Sequence, residues 1–262
     1  MTACAFLSGE QRARLDADGF LAIDNFVDAP EVQRLGRVFD RLFASDAGRA
    51  DGRRIDLAGL DDPDAPSRLP QIVEPSEDAP ELKEGPFLAR ARAIARDLFG
   101  EALTGRVGEH MIFKPSGEGS ATPWHQDQAY HDPATIERSL NFWLALDEAD
   151  VENGCMHYVP GSHRLDVMPH HSIGRDPRIH GLEVDGAENW QKRGVPVPLR
   201  AGGCVLHLPT TLHYAGPNFS TRQRRAYILI MNAAPVMRDR PIDNYWMRDK
   251  QSSFRKAETA TP

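Results

Sequence analysis

An imidazole and a carboxylate stand two positions apart in the run Pro123-Trp-His-Gln-Asp-Gln-Ala-Tyr130. Side chains on extended backbone alternate between faces, so His125 and Asp127 point the same way. With one more imidazole from elsewhere they make the 2-His-1-carboxylate face on which non-haem iron(II) oxygenases hold their metal. Two neutral imidazoles and one carboxylate leave residual positive charge on Fe(II) and three open positions. A 2-oxo acid can fill two of these through its carboxylate and keto oxygens, which leaves one for O2. His-x-Asp alone is weak evidence, because a chain with 10 His is expected to hold about one such pair by chance.

The case strengthens downstream. Cys204-Val-Leu-His-Leu-Pro-Thr-Thr-Leu-His-Tyr-Ala-Gly-Pro-Asn218 reads as a strand and turn that deliver His213. A loop then leads into Arg222-Gln-Arg-Arg-Ala-Tyr-Ile-Leu-Ile-Met-Asn232, a strand that opens with arginines. Arg224 shares strand parity with Ala226, Ile228 and Ile230, whereas Arg225 faces the other way with Tyr227 and Leu229. A guanidinium aimed into a barrel needs an anion, and its planar fork matches the distal carboxylate of 2-oxoglutarate. The plainer alternative is a salt bridge at the barrel end. In Ser139 to Asp147, Leu140, Phe142, Leu144 and Leu146 make one apolar face, which places Asn141 and Trp143 on the lumen side.

These residues need a scaffold, and the chain offers one. A serine cap opens a helix at Ser8, and Asp28-Ala-Pro-Glu31 opens a second with Val32, Leu35, Val38, Phe39, Leu42 and Phe43 at helical spacing. Phe20 to Phe26 between them is a strand candidate, and Pro86 to Phe99 is again helical, with Gly100 as its stop. From about Arg106 to Pro235 short strands alternate with turns: His110–Lys114, Leu140–Leu146, Met156–Val159, Val195–Leu199, Cys204–Leu208 and Ala226–Asn232. This pattern predicts a mainly β fold, a barrel or sandwich with helices outside. We expect a single domain over 1–262 with its core at about 9–235, irregular insertions at about 46–85 and 164–191, and a C-terminal extension at 236–262. The second insertion lacks periodicity and is rich in His and charge, so it is expected to be a lid.

Composition narrows the classes. A net charge of −7 disfavours nucleic-acid binding, though the basic stretch Arg222 to Lys256 points to an anion, such as an anionic small-molecule substrate. No apolar run reaches membrane length and the start lacks a secretory pattern; three unpaired cysteines (Cys4, Cys155, Cys204) fit a reducing, cytoplasmic setting.

With these residues in view, the chain resembles the phytanoyl-CoA dioxygenase (PhyH-like) family from about residue 9 to 235. The matching segments are Asp18-Gly-Phe-Leu-Ala-Ile-Asp-Asn-Phe26, Trp124-His-Gln-Asp127, Glu152-Asn-Gly-Cys-Met-His-Tyr-Val-Pro-Gly-Ser-His163, and His213 with Arg224. The resemblance implies a double-stranded β-helix (jelly-roll, cupin-like) core and an Fe(II)- and 2-oxoglutarate-dependent dioxygenase. Such an enzyme uses O2 to hydroxylate a small molecule and releases succinate and CO2. It implies iron on His125, Asp127 and His213, 2-oxoglutarate on Arg224, and Trp143, Met111 and Gln71 lining the co-substrate pocket. Two departures stand out: Gln71 where relatives often have lysine, and Ala215 where they often have serine. Related halogenases carry a small residue at the position of Asp127, so the carboxylate points to hydroxylation. His163 reads as a turn residue, and His157, His170, His171 and His180 as surface or lid residues. The competing readings are a jelly-roll binding protein without oxygen chemistry and a cupin-like metal isomerase or hydrolase, neither of which needs Arg224.

Overall fold

The computed structural model describes residues 6–62, 65–117 and 119–252. Cys4, Lys256 and the end of the C-terminal extension lie outside them. The N-terminal helices begin where their caps dictate. The Ser8 hydroxyl accepts from the Gln11 amide while the Gln11 side chain accepts from the Ser8 amide, which opens α1 (Gly9–Asp18). Gly19 ends it in the left-handed region at φ 83°, where a Cβ would also strike the His163 ring. Strand β1 (Phe20–Ile23) follows, and Asp28 then caps α2 (Ala29–Phe43) with proline in its first turn. The third helix, α3, spans Pro86–Phe99.

The remaining strands are β2 (Arg54–Asp56), β3 (Pro70–Val73), β4 (Leu103–Lys114), β5 (Thr122–His125), β6 (Thr135–Ala145) and β7 (Met156–Tyr158). They continue with β8 (His170–Ser172), β9 (Leu182–Val184), β10 (Val195–Val197), β11 (Cys204–His207), β12 (His213–Ala215) and β13 (Arg224–Met237). Seven form one sheet in the order β1-β11-β6-β13-β4-β3-β2, and four form a second in the order β10-β7-β12-β5. Every pairing is antiparallel. The two sheets share one interior and the helices lie outside, which is the double-stranded β-helix that the sequence predicts.

Strand parity divides the large sheet into two unlike faces. Leu140, Phe142, Leu144, Leu206, Tyr227, Leu229 and Met231 pack with α2 and α3 residues such as Leu35, Phe39, Phe87 and Ile94. Each such buried side chain contributes about 1.5–3 kcal/mol, so this face holds the scaffold. The alternate residues Trp143, Val205, Ala226 and Ile228 meet Met156, Tyr158 and Ala215 of the small sheet. That lumen face also carries polar groups, and there function replaces packing.

The two insertions are more ordered than their composition suggests. Within 46–85, β2 and β3 extend the large sheet, and the buried Asp56 carboxylate organises the loop by accepting from the amides of Ala58, Arg68 and Leu69. Within 164–191, β8 and β9 form a two-stranded hairpin followed by the short α4 (Glu188–Gln191). Strands of three or four residues are too short to show a period of two, which is why neither insertion betrays its strands. The short helix α5 (Tyr245–Arg248) buries Trp246 and Met247 against Ala129 and Leu182. Among the described residues no helix is long and apolar enough to cross a membrane.

Candidate metal and co-substrate site

His125 closes β5, and Gln126 continues in extended conformation (φ −119°, ψ 131°) before a 3-10 turn begins at Asp127. Parity therefore carries across the strand end, and both side chains enter the lumen. Strand β12 pairs with β5 and sets His213 directly opposite His125. The donor atoms of His125, Asp127 and His213 lie within 4.8 Å of one another, the only cluster of three His, Cys, Asp or Glu so placed among the described residues.

Both imidazoles are locked in the tautomer a metal needs. His125 Nδ1 donates to the Pro123 carbonyl at 2.8 Å and His213 Nδ1 to that of Thr211 at 2.9 Å. Each Nε2 lone pair is thereby turned to the site, 3.6 and 3.5 Å from Asp127 Oδ1. Burial depresses both imidazoles, His213 to about 3, so they are neutral at physiological pH. Burial works against the charge of Asp127, but its polar setting among His213, His207 and His125, with the hydrogen bond from His207, outweighs it and keeps the carboxyl below the usual range. A neutral-neutral-anionic donor set fits a divalent iron.

The other oxygen of Asp127 is held by residues that sequence reasoning missed. Oδ2 accepts from His207 Nε2 at 3.1 Å and from the Asn141 amide. His207 Nδ1 takes the Tyr158 hydroxyl at 3.1 Å, which leaves Nε2 as the proton donor. His207 is paired with Asn141 in the register of β11 and β6, a relationship no single strand reveals. The only available signal was parity, since His207 shares the lumen side with Val205 while Cys204 and Leu206 face the helices.

Arg224 opens β13 on the lumen side of the large sheet, in parity with Ala226 and Ile228. It is 1% exposed, its guanidinium sits 5.1 Å from the Trp143 ring centroid, and neither Nε nor Nη1 has a hydrogen-bond partner. Burial lowers it to about 10, which still leaves it cationic. Three other arginines of this stretch have acidic partners: Arg222 has Glu148, Asp150 and Glu152, Arg225 has Asp147 and Asp40, and Arg238 has Asp166. Orphaned donors on a buried cation are costly, and a carboxylate in the lumen satisfies them. Lys114, opposite Arg224 in the register, is also fully buried, with its ammonium on the carbonyls of Ser120, Ala215 and Gly216. This ammonium fixes the backbone at Ala215.

The other expected pocket residues divide. Gln71 reaches the lumen, where its Nε2 lies 2.9 Å from His110 Nδ1. Met111 does not: it is fully buried in the helix-side core, because β4 turns His110 and Ile112 inward and Met111 outward. His163 ties its Nε2 to the Asp16 carbonyl at 3.1 Å. His170 is fully buried, so it is no surface residue, and its Nε2 accepts from the Gln126 amide at 3.2 Å.

This architecture has relatives. The EvdO2 structure from Micromonospora carbonacea var. aurantiaca superposes with a TM-score of 0.79 at 39% identity, covering 92% of this chain and 97% of that one. A second EvdO2 structure, complexed with 2-oxoglutarate, gives a TM-score of 0.78 at 38% identity. The non-heme alpha ketoglutarate dependent carbocyclase SnoK from nogalamycin biosynthesis matches at 28% identity with a TM-score of 0.68, covering 92% of this chain and 90% of that one. Among curated sequences, phytanoyl-CoA dioxygenase domain-containing protein 1 of Bos taurus is 33% identical over 150 residues, 55% of this chain and 50% of its own length. The chain thus spans about half the length of the curated relatives it first matches. The profile of the phytanoyl-CoA dioxygenase (PhyH) family covers residues 15–226. By that match the chain belongs to the PhyH family, whose members use iron(II), 2-oxoglutarate and O2.

Proposed function

We propose that this protein is an iron(II)- and 2-oxoglutarate-dependent oxygenase that oxidises a C–H bond of a small molecule, most simply by hydroxylation. His125, Asp127 and His213 hold the iron, and Arg224, stacked near Trp143, takes the distal carboxylate of 2-oxoglutarate. The observation that carries this reading is the pairing of a three-ligand cluster with an orphaned buried guanidinium in one lumen. A metal isomerase or hydrolase on the same ligands has no use for Arg224.

When bound, iron and 2-oxoglutarate together supply the oxidant that takes hydrogen from the substrate carbon, with O2 consumed and succinate and CO2 released. The chain's own contribution is positioning and exclusion. The backbone carbonyls of Pro123 and Thr211 fix both imidazoles, while His207 and Asn141 hold the second oxygen of Asp127. Trp143, Ala226 and Ile228 give the lumen its apolar walls, against which a co-substrate would be positioned. A carboxylate at position 127 occupies a ligand place that a halide could otherwise take, which supports hydroxylation over halogenation. SnoK is named a carbocyclase, so hydroxylation is not the only outcome found on this fold.

Anaerobic titration of the apo protein with Fe(II) and then 2-oxoglutarate tests the reading. A weak visible metal-to-ligand charge-transfer band is expected only when both are present. Metal binding without that band sinks the oxygenase assignment. The outer partners give a graded prediction: His207→Ala is expected to lower Fe(II) affinity by about 10- to 100-fold. An unchanged affinity removes His207 from the site.

A further inference from the structure

The PhyH match ends at residue 226, yet the chain past it returns to the site. After β13, Arg238 and Ile242 donate from their backbones to the carbonyls of Ala134 and Pro133, which bind this segment beside the turn that follows Asp127. Trp246 Nε1 then donates to the Ala129 carbonyl at 2.9 Å, inside the 3-10 turn Asp127–Tyr130 itself. The indole also lies against His170, with ring centroids 5.6 Å apart. His170 in turn accepts from the amide of Gln126, the residue between the two ligands, and its Nδ1 donates to the Met168 carbonyl at 2.7 Å. Trp246 thus bears on both ends of the segment that carries Asp127: on Ala129 directly, and on Gln126 through His170.

We infer that Trp246 is a positioning residue for the metal site: with His170 it forms an outer brace that holds the His125–Asp127 segment in its ligating conformation. The inference rests on the iron-binding reading above. The physical need is clear from the backbone. Asp127 sits where an extended strand becomes a turn, so the pleat of β5 no longer restrains it. A carboxylate at such a junction keeps its direction only if the amides and carbonyls on both sides are held. The Gln126 side chain contributes from a third direction, donating to the Thr210 carbonyl at 2.9 Å and accepting from the Met168 amide at 2.9 Å. The C-terminal segment is anchored well enough to serve as a brace. Lys250 Nζ donates to Ser172 Oγ at 3.0 Å, and the Gln251 amide donates to the Pro177 carbonyl at 2.8 Å.

The test compares Co(II) binding, Co(II) absorption and amide exchange in the full-length protein and two variants. Trp246→Phe keeps the ring against His170 but deletes the N–H to Ala129, and His170→Ala leaves the Gln126 amide without its acceptor. Each is expected to weaken Co(II) binding by roughly three- to tenfold, about what one lost hydrogen bond supplies. Each is also expected to alter the ligand-field bands and to speed exchange across 126–130. The double variant should lose less than the product of the two factors, because both act on one segment. Co(II) affinity and spectrum unchanged in both variants, even with a lowered melting temperature, would make the brace a matter of stability alone and overturn the inference. A wild-type protein that binds no metal sinks the metal-site reading instead, and the two failures are thereby told apart.

Discussion

Asp127→Gly is expected to abolish product formation and to lower iron affinity by well over about a hundredfold, beyond what loss of an outer partner costs. The carboxylate supplies the only negative charge in the cluster, so its removal leaves two neutral imidazoles facing a dication. It also anchors two donors, since His207 Nε2 and the Asn141 amide both end on Oδ2. Stranding two buried donors costs about 1–3 kcal/mol each, so the glycine variant is also expected to melt earlier. Asp127→Asn separates the two effects. With its oxygen in the place of Oδ2 it keeps the acceptor for both donors and nearly the same shape, so its stability should lie close to wild type while iron is still lost. Metal content by elemental analysis, melting temperature and 2-oxoglutarate turnover read the three quantities. A glycine variant that retains stoichiometric iron and turnover removes Asp127 from the ligand set.

Much of this geometry was legible because period-two alternation needs only a strand and a starting residue. The alternation of Leu140, Asn141, Phe142 and Trp143 sorts core from lumen without any partner strand, and the same rule sorts Arg224 from Arg225. Met111 shows the limit of transfer by resemblance. A one-residue difference in placement on β4 exchanges the lumen for the helix layer, and His110 stands where the pocket is. His207 and Tyr158 were out of reach for another reason. Their meaning lies in the chain Tyr158–His207–Asp127, which links three segments distant in sequence. The order within 46–85 and 164–191 was hidden because strands of three or four residues carry no pattern and gain their stability from the sheet or loop they join. Within the basic stretch Arg222, Arg225 and Arg238 face acidic side chains, whereas Arg224 is buried with Nε and Nη1 unpartnered.

Arg224→Met is expected to move function and stability in opposite directions. In the wild type the guanidinium is buried without a carboxylate, and desolvation of such a cation costs several kcal/mol. Its stacking near Trp143 returns about 0.5–2 kcal/mol, which does not offset that cost. The balance is restored only when an anion arrives, so the free protein carries a penalty that 2-oxoglutarate relieves. A methionine of similar length fills the space without the charge. The metal-free, co-substrate-free variant should therefore melt at the wild-type temperature or above it. Its 2-oxoglutarate affinity should fall by the roughly 2–5 kcal/mol that loss of one partner of a buried charge pair costs, about 30-fold to several thousand-fold. Thermal melts with and without 2-oxoglutarate at saturating metal read both effects together, because ligand stabilisation grows with the ratio of concentration to Kd. The wild type should gain stability from 2-oxoglutarate at concentrations that leave the variant unmoved. If the variant instead melts well below wild type and keeps its 2-oxoglutarate response, Arg224 serves the barrel, and the co-substrate must be held elsewhere.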